Sequence, residues 1–179
     1  MKPANEILLR YLVMVIIAVV SLTVPVFYVI FRPLTVWPTA WMLQLFYNVS
    51  VSDINMMVNG HGIAIIDACI AGSAFLLLLL LNLLTREISL KKRIFIFVVD
   101  AIVLLILNII RLVILIALSV NNSIFFDFTH KLFWYVLSTG FVVIIWIASV
   151  KIFKLKKIPF FSDLAFLLKA KNRQNKRID

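Results

Sequence analysis

The sequence predicts an all-α fold: a polytopic bundle of about four transmembrane helices, with further helices at the membrane surface. Of its 179 residues, 64% are hydrophobic and only 15% are charged, against about 45–50% and about 25% in soluble domains. The mean hydropathy is +1.10. The apolar residues lie in runs that approach or exceed the roughly 20 residues a helix needs to cross a bilayer. A soluble fold of this length cannot bury so much apolar surface, so lipid is the expected solvent.

The first predicted span runs from Ile7 to Phe31 and contains Pro25, where we expect a kink. It is longer than the apolar core of a signal peptide, about 7–15 residues, so it is predicted to remain as an anchor. The segment from Arg32 to Gly60 is the least regular part of the chain. Its aromatic residues are typical of the membrane–water boundary. Within it, Thr39–Tyr47 is predicted to form a short interfacial or re-entrant helix.

Three further spans are predicted after this segment, joined by short polar loops: Gly62–Leu84, Ile94–Val120 and His130–Val150. Residues 1–158 are therefore expected to form a transmembrane helical domain. Residues 159–179 are expected to form a basic cytoplasmic tail, in which Phe160–Leu168 has the composition of an amphipathic surface helix.

The basic residues predict the orientation in the membrane. The chain has 18 Lys and Arg against 8 Asp and Glu, a net charge of +10. Two of the basic residues precede the main part of the first span, four lie between the second and third spans, and nine follow the start of the tail at Lys151. The positive-inside rule then places both termini in the cytoplasm of a multi-pass cell-membrane protein. Because this charge flanks the spans, anionic lipids are the expected partners and nucleic acid is not.

Three chemically reactive side chains are predicted to lie at similar depths on three different spans. At 1.5 Å per helical residue, Arg111 lies about 25 Å and Cys69 about 22 Å above the cytoplasmic face, and His130 lies about 30 Å above it. All three are therefore expected near the outer face. An arginine within a span is costly in lipid and indicates a functional site.

Two further polar residues are predicted to support these groups. Asn108 lies three residues before Arg111, so the two side chains point in similar directions on a helix. Asp127 lies three residues before His130 and can orient the imidazole if the helix begins early. Ala64, Ala68 and Gly72 follow the spacing of small residues that lets another helix approach closely.

A cysteine, a histidine and an arginine together indicate covalent catalysis on a peptide bond. A thiol attacks a carbonyl as thiolate, and a nearby imidazole and cation favour that form. The imidazole can return a proton to the leaving amine, and the guanidinium can stabilise the oxyanion. The thioester formed by attack can then be resolved by an amine or a hydroxyl, which gives transfer rather than hydrolysis. No cofactor is expected. An intramembrane zinc protease is not supported because H-E-x-x-H does not occur, and a serine protease is not supported because G-x-S-x-G does not occur.

These residues form three short blocks, Ala68–Gly72 (ACIAG), Asn108–Arg111 (NIIR) and Thr129–His130 (TH). Their order resembles the three-block signature of exosortases and archaeosortases. The resemblance implies a polytopic cysteine transpeptidase with Cys69 as nucleophile, Arg111 as transition-state stabiliser and His130 as acid and base. It also implies the substrate: an exported protein whose C-terminal sorting signal consists of a recognition motif, a hydrophobic span and a basic cluster. After cleavage the new end is joined to a lipid or another surface acceptor.

Non-catalytic explanations remain open. A single cysteine in a transmembrane helix usually packs as a small hydrophobe, and a histidine at a helix end usually lies at the interface. Arg111 can pair with Asp67 or bond to carbonyl groups, as in an assembly factor or transporter subunit. A channel is a third alternative. Asp100, about 16 Å below Arg111, is expected to pair with a loop cation such as Arg93.

Overall fold

A computed structural model describes residues 11–20, 26–52, 55–85, 88–134 and 138–155. Most of these residues are helical. The helices are α1 Tyr11–Val20, α2 Val26–Gln44, α3 Asp67–Ile70, α4 Gly72–Leu84, α5 Leu90–Val120, α6 Phe126–Leu132 and α7 Ser138–Ile152. The strands are β1 Val49–Ser52, β2 Asn55–Val58 and β3 His61–Ala64. The predicted tail and its amphipathic helix at 160–168 lie outside the described residues.

Helices α2, α4, α5 and α7 form a bundle in which α5 packs against each of the other three. The C-terminal ends of α2 and α5 meet in one apolar cluster that contains Leu43 and Ile116. The N-terminal end of α5 meets the C-terminal ends of α4 and α7. There Arg93 donates to the carbonyl of Thr85 at 2.8 Å, and Lys92 donates to the carbonyl of Phe153 at 3.2 Å. Helices α2 and α5 therefore run one way, and α4 and α7 run the other way.

Two of these helices have the length and composition to cross a membrane. Helix α2 has 19 residues and α5 has 31, and an 18-residue stretch within each has a mean hydropathy of 1.2 and 3.0, respectively. Helices α1, α4 and α7 are apolar but shorter. The third predicted span, Ile94–Val120, is contained in α5, which begins at Leu90. Ser89 caps this helix, because its hydroxyl accepts from the amide of Lys92 at 3.4 Å.

Helix α5 buries three polar side chains among apolar ones and exposes a row of large apolar residues. Its buried face includes Asp100, Asn108 and Arg111. Its exposed face consists of large apolar residues at intervals of three or four: Phe95, Val98, Ile102, Ile106, Ile110 and Ile114. Water would favour the opposite arrangement, whereas a hydrocarbon solvent favours this one.

The prediction of an all-α fold is wrong in one segment, because residues 49–64 form a three-stranded antiparallel sheet in the order β1-β2-β3. The turn between β2 and β3 is Asn59-Gly60, with φ angles of +48° and +83°. This dipeptide is a strong hairpin signal, because both positions need a positive φ. Met56 and Val58 on β2 are fully buried against the ends of α2 and α5. The sheet therefore closes that end of the bundle.

The first predicted span has different bounds in the structure. Helix α2 does not end at Phe31 but continues to Gln44, through Pro33 and Pro38. Neighbouring helices allow prolines within apolar helices, and α2 packs against both α4 and α5. The predicted short helix at 39–47 is thus largely the last part of α2, and the predicted kink at Pro25 lies outside the described residues.

The second and fourth predicted spans also differ. Gly62 to Ala64 belong to β3, so the helical part of the second span starts at Asp67 and is interrupted at Ala71. The fourth span was expected to start at His130, but α6 begins earlier, at Phe126.

The predicted partner of Asp100 is wrong. Its carboxylate accepts a hydrogen bond from the hydroxyl of Ser149 on α7, and both residues are buried, at 2% and 5% exposed. Arg93 instead donates to carbonyl groups at the end of α4. The reason is geometric: Asp100 lies almost two turns above Arg93 and faces α7.

Candidate active site

Cys69 lies in the single turn α3, two residues before a break between this turn and α4. The turn ends at Ile70, Ala71 has a left-handed backbone with φ +58° and ψ +31°, and α4 begins at the next residue. This conformation costs a residue with a Cβ about 1–2 kcal/mol. The amide of Cys69 donates to the carbonyl of Ile66 at 2.8 Å. Cys69 is half-buried, so its thiol remains accessible.

Gly72 allows this break to pack closely against α2. A Cβ at Gly72 would lie 2.8–2.9 Å from ring atoms of Tyr28. The prediction of a close approach at Gly72 is therefore confirmed. The predicted row of three small residues on one helix is not observed, because Ala64 lies on β3 and Ala68 lies before the break.

Asn108 and Arg111 reach this break from the buried face of α5. The Nδ2 group of Asn108 donates to the carbonyl of Cys69 at 2.8 Å. The guanidinium of Arg111 lies within electrostatic range of the Cys69 thiol. The two α5 residues are only 3% and 6% exposed. An arginine keeps its proton in proteins, so this part of the fold carries a permanent positive charge.

His130 approaches from α6 and shares a cavity with Cys69. The cavity has a volume of about 120 Å³. The imidazole stacks on the ring of Phe126, with centroids 5.6 Å apart, and meets the edge of Trp134 at 6.2 Å. His130 is itself an exposed residue of α6. Cys69, Arg111 and His130 thus come from three separate elements to one region of the fold.

The walls of this cavity are mostly apolar. One wall is formed by Ile63–Ile65 at the end of β3, and the other by a face of α5 that includes Leu112, Leu115, Ile116 and Ser119. A second cavity, of about 210 Å³, is lined by Arg111, Ala71 and Trp134 among others. Space for a reacting group therefore exists on both the thiol side and the guanidinium side.

Two predicted carboxylate contacts are not present among the described residues. Asp127 forms an ion pair with Lys131 at 3.6 Å, one turn along α6, and no hydrogen bond joins it to His130. Both partners of this ion pair are exposed. In the described part of α6, Asp127 is thus directed to Lys131 and not to the imidazole. Asp67 forms an ion pair with Arg32 of α2 at 3.0 Å rather than with Arg111.

Some residues of the site were not identified from the sequence. Phe133 contributes its ring, whose centroid lies 6.0 Å from the Cζ atom of Arg111, a distance typical of cation–π contacts. Ser119 is a polar group in an otherwise apolar cavity wall. It lies on the same face of α5 as Leu112, Leu115 and Ile116, with a helical spacing that could have been recognised once the orientation of α5 was known.

The arrangement can support attack by sulfur on a carbonyl group. A cation beside a thiol favours the thiolate, and a nearby imidazole can move the proton. Within the described residues, no group of three or more His, Cys, Asp and Glu side chains is placed to hold a metal ion. Comparisons with protein-family models, curated proteins and solved structures give no match to this chain.

Proposed function

We propose that this chain is a membrane-embedded cysteine protease and transpeptidase. It cleaves the C-terminal sorting signal of exported proteins and transfers the new end to a lipid or another surface acceptor. One observation carries the proposal. The only cysteine of the chain shares a cavity with a histidine and lies within electrostatic range of a buried arginine. The resemblance to exosortases and archaeosortases rests on these same residues.

The proposed reaction has two stages. His130 takes the proton of the Cys69 thiol, and the thiolate attacks the carbonyl carbon of the scissile peptide bond. Arg111 stabilises the negative charge that forms on the carbonyl oxygen. The C–N bond then breaks, His130 returns the proton to the leaving amine, and a thioester remains on Cys69. In the second stage an acceptor amine or hydroxyl loses its proton to His130 and attacks the thioester, which releases the thiol.

The proposed topology has four crossings, made by α2, by α3 with α4, by α5, and by α6 with α7. Opposite directions of neighbouring helices and the apolar exposed face of α5 support it. Both termini then lie in the cytoplasm, where the basic tail contacts anionic lipids. The sheet and the candidate site lie toward the outer face. The hydrophobic span of the substrate lies against the bundle, with its basic cluster in the cytoplasm.

The test is to co-express the chain with candidate substrates that carry such a tripartite signal. Cys69→Ser should abolish processing while leaving the abundance of the protein unchanged, because the side chain keeps nearly the same volume. Ala148→Ser, on the exposed face of α7, is the matched control and should process normally. A mass spectrum should also show a substrate fragment joined to the peptide that contains Cys69. Normal processing by Cys69→Ser would overturn the proposal.

The second candidate function is a non-catalytic assembly factor or transporter subunit. The contact between Arg111 on α5 and the ring of Phe133 beyond α6 favours it, since such a contact holds two helices together. In that case Cys69→Ser should behave as wild type. Arg111→Ala should then lower the abundance of the chain itself.

A further inference from the structure

Strand β3 is an edge of the sheet and leads directly to the candidate nucleophile. In the part of the chain that the structure describes, β3 pairs with β2 alone. The other edge strand, β1, packs against α2 instead, where Gln44 donates to the carbonyl of Val49 at 3.5 Å. Cys69 follows the last residue of β3 by only five positions. An open strand edge offers backbone donors and acceptors for another extended segment.

The side chains on β3 leave its backbone accessible. His61, Gly62 and Ala64 are exposed. Gly62 has no side chain, and Ala64 has only a methyl group, so neither shields the edge. In many proteins extended peptides bind in this way, with main-chain hydrogen bonds supplying affinity and pockets for alternate side chains supplying specificity.

A pocket of suitable size lies beside this edge. The last residues of β3 form one wall of the cavity that contains Cys69 and His130. Its volume of about 120 Å³ is somewhat smaller than that of an apolar cavity of about 150 Å³ that can hold benzene. It can therefore receive one branched aliphatic side chain. The apolar walls favour such a side chain over a charged one.

We infer that the substrate's recognition segment binds as an added strand along β3, parallel to it, with one aliphatic side chain in the cavity beside Cys69. This inference rests on the proposed function. The parallel direction follows from the fold. The sheet lies at the C-terminal ends of α2 and α5, and β3 leads into α4, which runs toward the other end of the bundle. A substrate whose recognition segment precedes its hydrophobic span runs the same way.

The first experiment tests the added strand with a co-expressed library. Each member carries a randomised six-residue segment before a fixed hydrophobic span and basic cluster, and processing is read by sequencing the cleaved pool. Proline is then placed at each position of the best segment, with glycine at the same positions as control. In a paired strand alternate residues donate to the neighbour. Proline should therefore reduce processing at least tenfold at every second position and have little effect between them. Equal loss at all positions would overturn the strand.

The second experiment tests the cavity through Ser119, which forms part of its α5 wall. Ser119→Leu should shift the preferred residue from Leu, Ile or Val toward Ala or Gly. A change of this size in an apolar pocket alters relative rates by about 10–200-fold. Ala148→Leu, on the exposed face of α7, should leave the preference unchanged. If Ser119→Leu does not accumulate, Leu115→Ala enlarges the same cavity and should favour larger side chains. An unchanged preference in the accumulating variant would overturn the assignment of the cavity.

The outcomes separate the two proposals. If the wild-type chain processes library members and Cys69→Ser processes them equally well, the proposed function fails and this inference fails with it. If processing depends on Cys69 but neither the alternation nor the altered preference is found, only the inference fails.

Discussion

The contact between Gly72 and Tyr28 gives the sharpest test of how the candidate nucleophile is positioned. In Gly72→Ala the new Cβ would meet the Cε1 and Cζ atoms of the tyrosine ring at 2.8 Å. Contacts this short force the ring or the helix to move. Overpacking of a close helix contact costs about 1–3 kcal/mol. We therefore expect the free energy of unfolding to fall by that amount.

Gly140 on α7 provides the matched control, because a Cβ added there meets nothing within 4 Å. In a helix alanine is favoured over glycine by about 1 kcal/mol. Gly140→Ala should therefore raise the stability that Gly72→Ala lowers. Unfolding in detergent micelles, followed by circular dichroism during a denaturant titration, measures both.

A double-mutant cycle identifies the cause. Tyr28→Ala removes the ring that the new methyl group would meet, so Gly72→Ala should be much less harmful in that background, with a coupling energy close to the cost of the clash. The reasoning is refuted if Gly72→Ala is as stable as Gly140→Ala, or if the effects of the two substitutions at Gly72 and Tyr28 simply add.

Two further positions, one buried and one strained, give additional tests. Ser149→Ala removes the donor to the buried carboxylate of Asp100, so the free energy of unfolding should fall by about 1–3 kcal/mol. Combining it with Asp100→Leu should recover most of this loss, because no polar group is then left unpaired. Equal loss in the single and double variants would contradict this. Ala71→Gly relieves the left-handed backbone at φ +58° and should raise stability by about 0.5–1 kcal/mol. Asn122→Gly, at φ +48°, should gain less since asparagine tolerates this conformation, and thermal unfolding of the two variants provides the comparison.

Helix α5 shows how far the sequence can predict this fold. Its run from Ile94 to Val120 is long, contains no proline or glycine and has only a few polar residues, so its type and C-terminal end follow from local composition alone. The bounds of α2 do not follow from local composition, because Pro33 and Pro38 taken alone would indicate the end of a helix. The surrounding bundle accommodates them. The sheet was missed although Asn59-Gly60 is a hairpin signal, because the surrounding aromatic and apolar residues suggested the membrane boundary.

The candidate site divides in the same way. Cys69, Asn108, Arg111 and His130 were identified from residue type and depth, and the structure brings them to one region. Asp127 was predicted to support His130, and in the structure it forms an ion pair with Lys131, one turn away.

By itself the sequence determined which segments are apolar and how the charge is distributed, because these properties depend on composition alone. Only the tertiary structure decided the partners of the charged residues, the turn at Ala71 and the open edge of β3 beside the cavity. These depend on how the helices rotate and cross, which is decided by contacts between residues far apart in the chain. The pairing of Asp100 with Ser149, 49 positions later, is one such contact.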